Sequence, residues 1–281
     1  MILTAGSLFA EDRINGYQQL LKSGDYAKLR IYLNDWESEA ADDPELLIAW
    51  FNYYMNLDAV SNVGTFRDPW TGQFVLAPHM SYDQDNLAKA VAFLDRGIEI
   101  APRRLDMHFG RLRVLAEMYE YERQGELLTS LLQTSLDIGH RWLWSRGLPV
   151  EDMGNDPLDM LLYSSQDYVH LWTNSGNESA MASLLKYARR EQQLYPDYVL
   201  GYSNHALYYL EEGNYADALP ILLEAYERFP GDHIIIHNLG NCYGELGMKT
   251  EARAYYEKLY EMPGKLDREY VDKLIEELEE L

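Results

Sequence analysis

Apolar residues recur at every third or fourth position along most of this chain, which is the spacing of one face of an α-helix. Short polar turns separate successive segments of this kind. Outside the repeat described next, the pattern predicts helices over residues 14–22, 27–39, 44–57, 86–100, 105–123, 126–137, 167–174, 178–195 and 267–281. Neighbouring helices joined by short turns pair as antiparallel hairpins, and the third hairpin is predicted to turn around Gly125. The chain is therefore expected to be all-α.

A 34-residue repeat lies near the C-terminus. Its first copy is marked by Tyr202, Ala206, Tyr209, Gly213, Ala218, Leu222 and Pro230. The positions 34 residues later hold Ile236, Gly240, Tyr243, Gly247, Ala252, Tyr256 and Gly264, with a proline one step earlier at Pro263. Small residues allow close helix approach, glycine ends the first helix at a positive φ, and proline stops the second helix. One such hairpin cannot bury its apolar face alone, so the copies are expected to stack.

This unit resembles the tetratricopeptide repeat, a helix-turn-helix motif of the same length. The resemblance implies an all-α, tetratricopeptide-like helix-turn-helix solenoid over residues 11–265, with about four to five hairpins and a C-terminal capping helix over 266–281. The copy over 167–195 departs from the family pattern. Ala188 stands where the family prefers a large residue, and Glu191 stands where it prefers alanine.

The family register also assigns residues to the inner, concave face of the repeats. These candidate partner-binding residues are Ser203, Asn204, Leu207, His237, Asn238 and Asn241. Asparagine side chains in such a groove can hold a peptide backbone, because each carries donor and acceptor groups. Ordinary helix-surface polarity is the alternative interpretation. The basic clamp by which chaperone-binding family members grip a C-terminal carboxylate is missing from the corresponding positions, which argues against that class of partner.

Two irregular inserts, at about 59–85 and 139–156, interrupt the predicted array. Loops of this length are usually functional or disordered, and their aromatic content argues against disorder. Trp70 lies in the first insert, and Trp142 and Trp144 lie in the second. These tryptophans either shape a binding pocket or an assembly contact, or fill gaps between successive hairpins.

The first ten residues allow two interpretations. Residues 1–10 form a short apolar run ending in Ala10, which is typical of the tail of a signal peptide, although no basic segment precedes the run. An ordinary apolar segment that packs on the first hairpin explains the sequence equally well. The localisation is accordingly cytoplasmic, or periplasmic if the run is a signal remnant. No other stretch approaches the ~20 apolar residues of a membrane span, so a soluble mature chain is expected.

Charge narrows the possible partners. The formal net charge is −22, whereas binding to nucleic acid or to an anionic membrane needs a concentrated basic face. Neither partner is expected. The C-terminal part, residues 211–281, is especially acidic and would suit a basic partner, or serves simply as a solvated outer face.

Few residues are candidates for catalysis or for binding a metal or cofactor. The single cysteine, Cys242, excludes an internal disulfide and is expected to be a buried structural thiol. His233 and His237 have metal-ligand spacing on a helix but lack a third ligand nearby. The run from Asp83 to Asn86 resembles the start of a calcium loop but lacks its closing glutamate, and is either a chance match or a helix N-cap at Asp85. No nucleotide-binding loop or nucleophile motif is present, so no cofactor, metal or catalytic residue is predicted.

These observations favour a non-enzymatic scaffold that binds a partner protein or peptide in the groove of a repeat array, with self-assembly as a possibility. One alternative is an envelope-associated accessory factor of a transport or secretion complex, if the N-terminal run is a signal remnant. The other is a small-molecule binder or enzyme whose pocket is formed by the aromatic inserts.

Overall fold

The computed structural model describes the backbone of residues 5–67, 74–260, 262 and 268–280. Its helices are α1 (Ala5–Ser23), α2 (Tyr26–Ala40), α3 (Pro44–Asn56), α4 (Gln84–Ile100), α5 (Leu105–Glu117), α6 (Tyr121–Asp137), α7 (Pro157–Asn174), α8 (Glu178–Leu194), α9 (Val199–Glu211), α10 (Tyr215–Arg228), α11 (His233–Glu245), α12 (Lys249–Tyr260) and α13 (Arg268–Glu280). Its strands are β1 (Val60–Arg67), β2 (Phe74–Ser81), β3 (Leu143–Trp144) and β4 (Leu148–Pro149). The predicted all-α helix-turn-helix fold is confirmed.

Polar residues cap the N-termini of several helices, at positions where a turn is followed by the periodic apolar residues of a helix. Asn214 caps α10 and Asp232 caps α11, because each side chain accepts hydrogen bonds from backbone N–H groups of the first turn. The N-cap of α4 is Asp83, which accepts from the N–H of Asn86 at 2.9 Å. The expectation of a cap at Asp85 was wrong, since Asp85 lies within the first turn of α4.

The turn between α5 and α6 lies earlier than predicted. The chain reverses at Met118–Glu120, with Tyr119 in the left-handed region at φ 59°. Glycine is the residue usually found in this conformation, so a tyrosine gives no turn signal. Gly125, the predicted turn, lies inside α6. A Cβ atom on Gly125 would meet the Cβ of Ser183 at 2.3 Å, so glycine serves here to let α6 and α8 approach closely.

The chain divides into two compact units. The first unit contains Met1–Glu120 and Asp137–Leu161, and the second contains Tyr121–Leu136 and Leu162–Leu281. In the first unit, α1, α2 and α3 bury a core that includes Leu29, Leu33, Trp36, Leu46, Trp50 and Tyr53. In the second unit, α9 to α12 bury a core that includes Tyr202, Ala206, Leu222, Ile235, Leu239 and Cys242.

The first insert contains regular structure, contrary to the expectation of an irregular loop. Strands β1 and β2 form an antiparallel ribbon in which Val60 pairs with Ser81 and Arg67 pairs with Phe74. One face of the ribbon exposes apolar side chains, since Val63, Phe74 and Leu76 are 70%, 76% and 75% exposed. Residues 68–73, which include Trp70, lie outside the described residues.

Candidate functional site

The repeat near the C-terminus folds into two successive hairpins, α9 with α10 and α11 with α12. Gly213 and Gly247 end the first helix of each hairpin at φ 68° and 74°, as the sequence predicts. A Cβ atom on Gly240 would lie 2.3 Å from the ring of Tyr256, so this glycine lets α12 pack closely on α11. Contacts run from α9 through α10, α11 and α12 to α13, and α9 also touches α11. The first helices of the two hairpins are therefore neighbours.

Most of the candidate partner-binding residues lie half-buried on these two first helices. Ser203 and Leu207 lie on α9, and His237, Asn238 and Asn241 lie on α11. We call these five residues the groove face, after the groove that the repeat register predicts. Partial exposure leaves their side chains accessible to a partner, while neighbouring side chains restrict their movement.

Asn204 is the exception among the candidates. Its side chain is only 3% exposed, and its amide donates a hydrogen bond to Glu191 Oε2 at 2.8 Å. The placement of Asn204 on an accessible groove was therefore wrong. On α9 this residue faces α8. Its acceptor there is Glu191, the residue that replaces the alanine preferred by the family.

Glu191 is the centre of a small buried network. The carboxyl group is fully buried, and Tyr187 donates a hydrogen bond to Oε1 at 3.1 Å while Asn204 donates to Oε2. Burial raises the pKa of Glu191 to about 7, against the opposing effect of these two hydrogen bonds. The family prefers alanine at this position. Here the cost of burying a carboxyl group is offset by hydrogen bonds from two polar side chains.

His237 is held by the C-terminal helix. Its ring stacks on Tyr270 of α13 with centroids 6.0 Å apart, and Nε2 forms a hydrogen bond with the Tyr270 hydroxyl at 3.0 Å. Burial lowers the pKa of His237, so the imidazole is neutral at pH 7. Both ring nitrogens that could bind a metal are thus engaged, Nε2 by Tyr270 and Nδ1 by Asn238 Oδ1 at 3.4 Å. Among the residues that the structure describes, no group of three His, Cys, Asp or Glu side chains could hold a metal ion.

The second insert is fixed to the first unit by backbone and aromatic contacts. Trp142 is fully buried, and its indole ring lies edge-on to His108 with centroids 5.7 Å apart. The Leu143 N–H donates to the carbonyl of Arg103 at 2.8 Å. Burial lowers the pKa of His108 to about 4, and its Nε2 donates to the carbonyl of Pro102 at 2.9 Å.

The two described tryptophans of the inserts differ in accessibility. Trp142 fills the interior and does not line an open pocket. Trp144 is half-buried, and the centroid of its ring lies 6.3 Å from the ring centroid of Phe109. Trp70, the third member of the predicted set, lies outside the described residues.

The single cysteine, Cys242, lies in the core of the second unit, which confirms the prediction of a buried thiol. Its Sγ donates to the carbonyl of Tyr215 at 3.1 Å, and burial raises the pKa of the thiol to about 11. Thiolate is the reactive form, so the native protein is expected to react with a disulfide reagent about a hundredfold more slowly than the urea-unfolded chain. Stopped-flow absorbance with an aromatic disulfide would measure both rates. Similar rates in the two states would show that the thiol is accessible.

Sequence comparison agrees with the repeat geometry. The sequence profile of the tetratricopeptide repeat matches residues 198–263, which span α9 to α12. No curated protein matches the sequence significantly. Within the part of the chain that the structure describes, no helix is both long enough and apolar enough to cross a membrane.

Solved structures of several repeat proteins resemble the chain at low identity. One is TTC0263, a tetratricopeptide repeat protein of Thermus thermophilus, with 17% identity over 70% of this chain and 92% of that protein, at a TM-score of 0.40. Another is the RpL4 assembly chaperone Acl4, with 12% identity, coverage of 96% and 95%, and a TM-score of 0.43. A third is YrrB, described as having an unusual peptide-binding site, with 14% identity, coverage of 89% and 98%, and a TM-score of 0.38.

The helix-turn-helix period, the glycine turns and the profile match agree on the same residues. The chain therefore contains tetratricopeptide repeats, which the family match places in residues 198–263.

Proposed function

We propose that this protein is a non-enzymatic scaffold that binds a partner protein or peptide on the groove face of the second unit. Tetratricopeptide repeat proteins generally mediate protein–protein interactions, and their fold is typically a scaffold. The observation that carries the proposal is the row of half-buried side chains on α9 and α11, within the residues that match the family.

The chemistry of the groove face suits an extended peptide. Asn238 and Asn241 offer amide groups that both donate and accept hydrogen bonds, as a peptide backbone requires. Leu207 adds an apolar contact, and Ile234 on the same helix as the asparagines is 49% exposed. Because helices hold these side chains, binding orders little of the receptor, and the entropic cost falls mainly on the ligand.

Site-specific photo-crosslinking would test this proposal. A photoreactive phenylalanine at position 207 or 241 is expected to capture a defined partner from lysate of the source organism. The same residue at position 224 or 257, which are exposed on the second helices α10 and α12, serves as the matched control. Equal capture from both sets of positions would contradict binding on the groove face.

The captured partner would then be purified and its affinity measured by calorimetry. The double variant Asn238→Ala/Asn241→Ala is expected to raise the dissociation constant at least about tenfold, because two hydrogen-bonding groups are lost from the interface. The exposed pair Glu224→Ala/Glu257→Ala should leave the affinity unchanged. An unchanged dissociation constant for the asparagine variant would refute the assignment of these residues.

A further inference from the structure

A basic depression lies on the second unit and includes none of the groove-face residues. It has a volume of about 540 Å³ and is lined by Thr129, Ala182, Leu185, Lys186, Arg189, Arg190, Gln193 and Tyr208. Three of these residues are cationic and none is acidic, although the whole chain has a net charge of −22. Most of them lie on α8, which is the second helix of its hairpin, with Thr129 on α6 and Tyr208 on α9.

Neutral side chains orient the guanidinium group of Arg189. Its Nε donates to Nε2 of His205 at 3.2 Å, and Nη2 donates to the Tyr209 hydroxyl at 2.9 Å. The other ring nitrogen of His205, Nδ1, donates to Gln192 Oε1 at 2.9 Å, which fixes the tautomer that accepts from Arg189. Burial, and then the charge of Arg189, lower the pKa of His205 to about 4. The imidazole therefore stays neutral and leaves the charge of Arg189 uncompensated.

Arg190 is held in the same way. Its two terminal nitrogens donate to Gln133 Oε1 at 2.6 Å and to Gln193 Oε1 at 2.7 Å. Within the described residues, neither Arg189 nor Arg190 forms an ion pair with a carboxylate. Lys186 lies 3.4 Å from Glu126, but both side chains are more than half exposed, so this pair is weak.

Each guanidinium carries five N–H donors, so donors remain on both arginines for a ligand. Such a fork matches the two oxygens of a carboxylate. Leu185, Ala182 and the ring of Tyr208 provide apolar surface beside these charges. Arginines held in place by neutral partners lose little freedom on binding, which favours affinity.

We propose that the basic depression binds a short acidic peptide segment of a partner protein, with carboxylates on Arg189 and Arg190 and an apolar side chain against Leu185 and Tyr208. The charge of the depression selects an anion, and its apolar wall selects a peptide rather than a small inorganic ion. A nucleic acid is disfavoured, because its long row of phosphates would meet the acidic remainder of the chain. The basic depression shares no residue with the groove face, so an experiment can refute one proposed site without refuting the other.

Fluorescence anisotropy would test the proposal with a labelled eight-residue peptide that alternates glutamate and leucine. The full chain is expected to bind this peptide with micromolar affinity that weakens as salt is raised, since exposed charges are screened. A peptide that alternates glutamine and leucine should not bind. The variant Arg189→Gln/Arg190→Gln is expected to raise the dissociation constant at least about tenfold.

The matched control is Arg253→Gln/Lys273→Gln, which removes the same charge from exposed ion pairs on α12 and α13. Its affinity for the peptide should equal that of the wild type, and circular dichroism would verify that both variants are folded. Absence of binding, or an equal loss in both variants, would overturn the proposal. Displacement by inorganic phosphate at the affinity of the peptide would show a general anion site instead. Sedimentation showing dimers that the Arg189→Gln/Arg190→Gln variant abolishes would reassign the depression to a second copy of this chain.

Discussion

Replacing Gly201 with alanine is expected to lower the free energy of unfolding by about 3 kcal/mol. Gly201 lies near the start of α9, where this helix crosses the end of α8. A Cβ atom at this position would lie 2.4 Å from the backbone N of Gln192 and 2.6 Å from its Cα. Side chains can rotate away from a clash, whereas these are main-chain atoms of a helix. The two helices would therefore have to separate, and the core between them would lose contacts.

Urea denaturation followed by circular dichroism would measure the loss, and hydrogen exchange of the amides in α8 and α9 would localise it. The control is Gly231→Ala, since Gly231 has open space around its Cα and no positive φ. That variant is expected to change stability by less than about 0.5 kcal/mol. Equal stability of the two variants would mean that α8 and α9 are less closely packed than described.

The second large effect concerns the pH dependence caused by Glu191. Burial raises its pKa from an ordinary 4.5 to about 7. Between these pH values the native protein keeps a proton that the unfolded chain has released. The stabilisation that this bound proton gives the native protein is therefore full below pH 4.5 and is lost as the pH rises through 7. The total loss is about 3 kcal/mol, because one pKa unit corresponds to about 1.4 kcal/mol.

The variant Glu191→Gln isolates this contribution. Glutamine resembles the protonated acid in shape, can bond to Tyr187 and Asn204, and does not titrate. We expect its stability relative to the wild type to increase by about 3 kcal/mol between pH 4.5 and pH 8, as measured by urea denaturation at each pH. The exposed control Glu224→Gln should differ from the wild type by less than about 0.5 kcal/mol at both values. A constant difference for Glu191→Gln would exclude a buried, protonated carboxyl.

Local patterns were sufficient to predict most of the helices. The glycines at 213 and 247 adopt the positive φ that ends each first helix, and the apolar spacing of α3 and α4 matches their buried faces. These features depend on neighbouring residues in the chain, so they can be read without knowing the tertiary contacts. The buried position of Cys242 follows from the same periodicity.

Other features depended on contacts between distant residues. The ribbon of β1 and β2 is rich in valine and other strand-forming residues, but its pairing joins positions up to 21 residues apart. The turn at Tyr119 carries no glycine, while Gly125 is required by the close approach of Ser183 from α8. A glycine in the sequence can either end a helix or allow two helices to pack closely, and the sequence alone did not distinguish these two roles.

For the candidate sites, the 34-residue spacing was enough to assign the repeat register, and with it the placement of Ser203, Leu207, His237, Asn238 and Asn241 on two neighbouring first helices. Which of the polar side chains are accessible depends on the packing between helices, and this packing cannot be read from the repeat register. It turned Asn204 inward because Glu191 offers a buried acceptor. It also brought neutral partners from α6 and α9 to the arginines of α8, a grouping that the sequence does not show because Gln133 lies 57 residues from Arg190 and His205 lies 16 residues from Arg189.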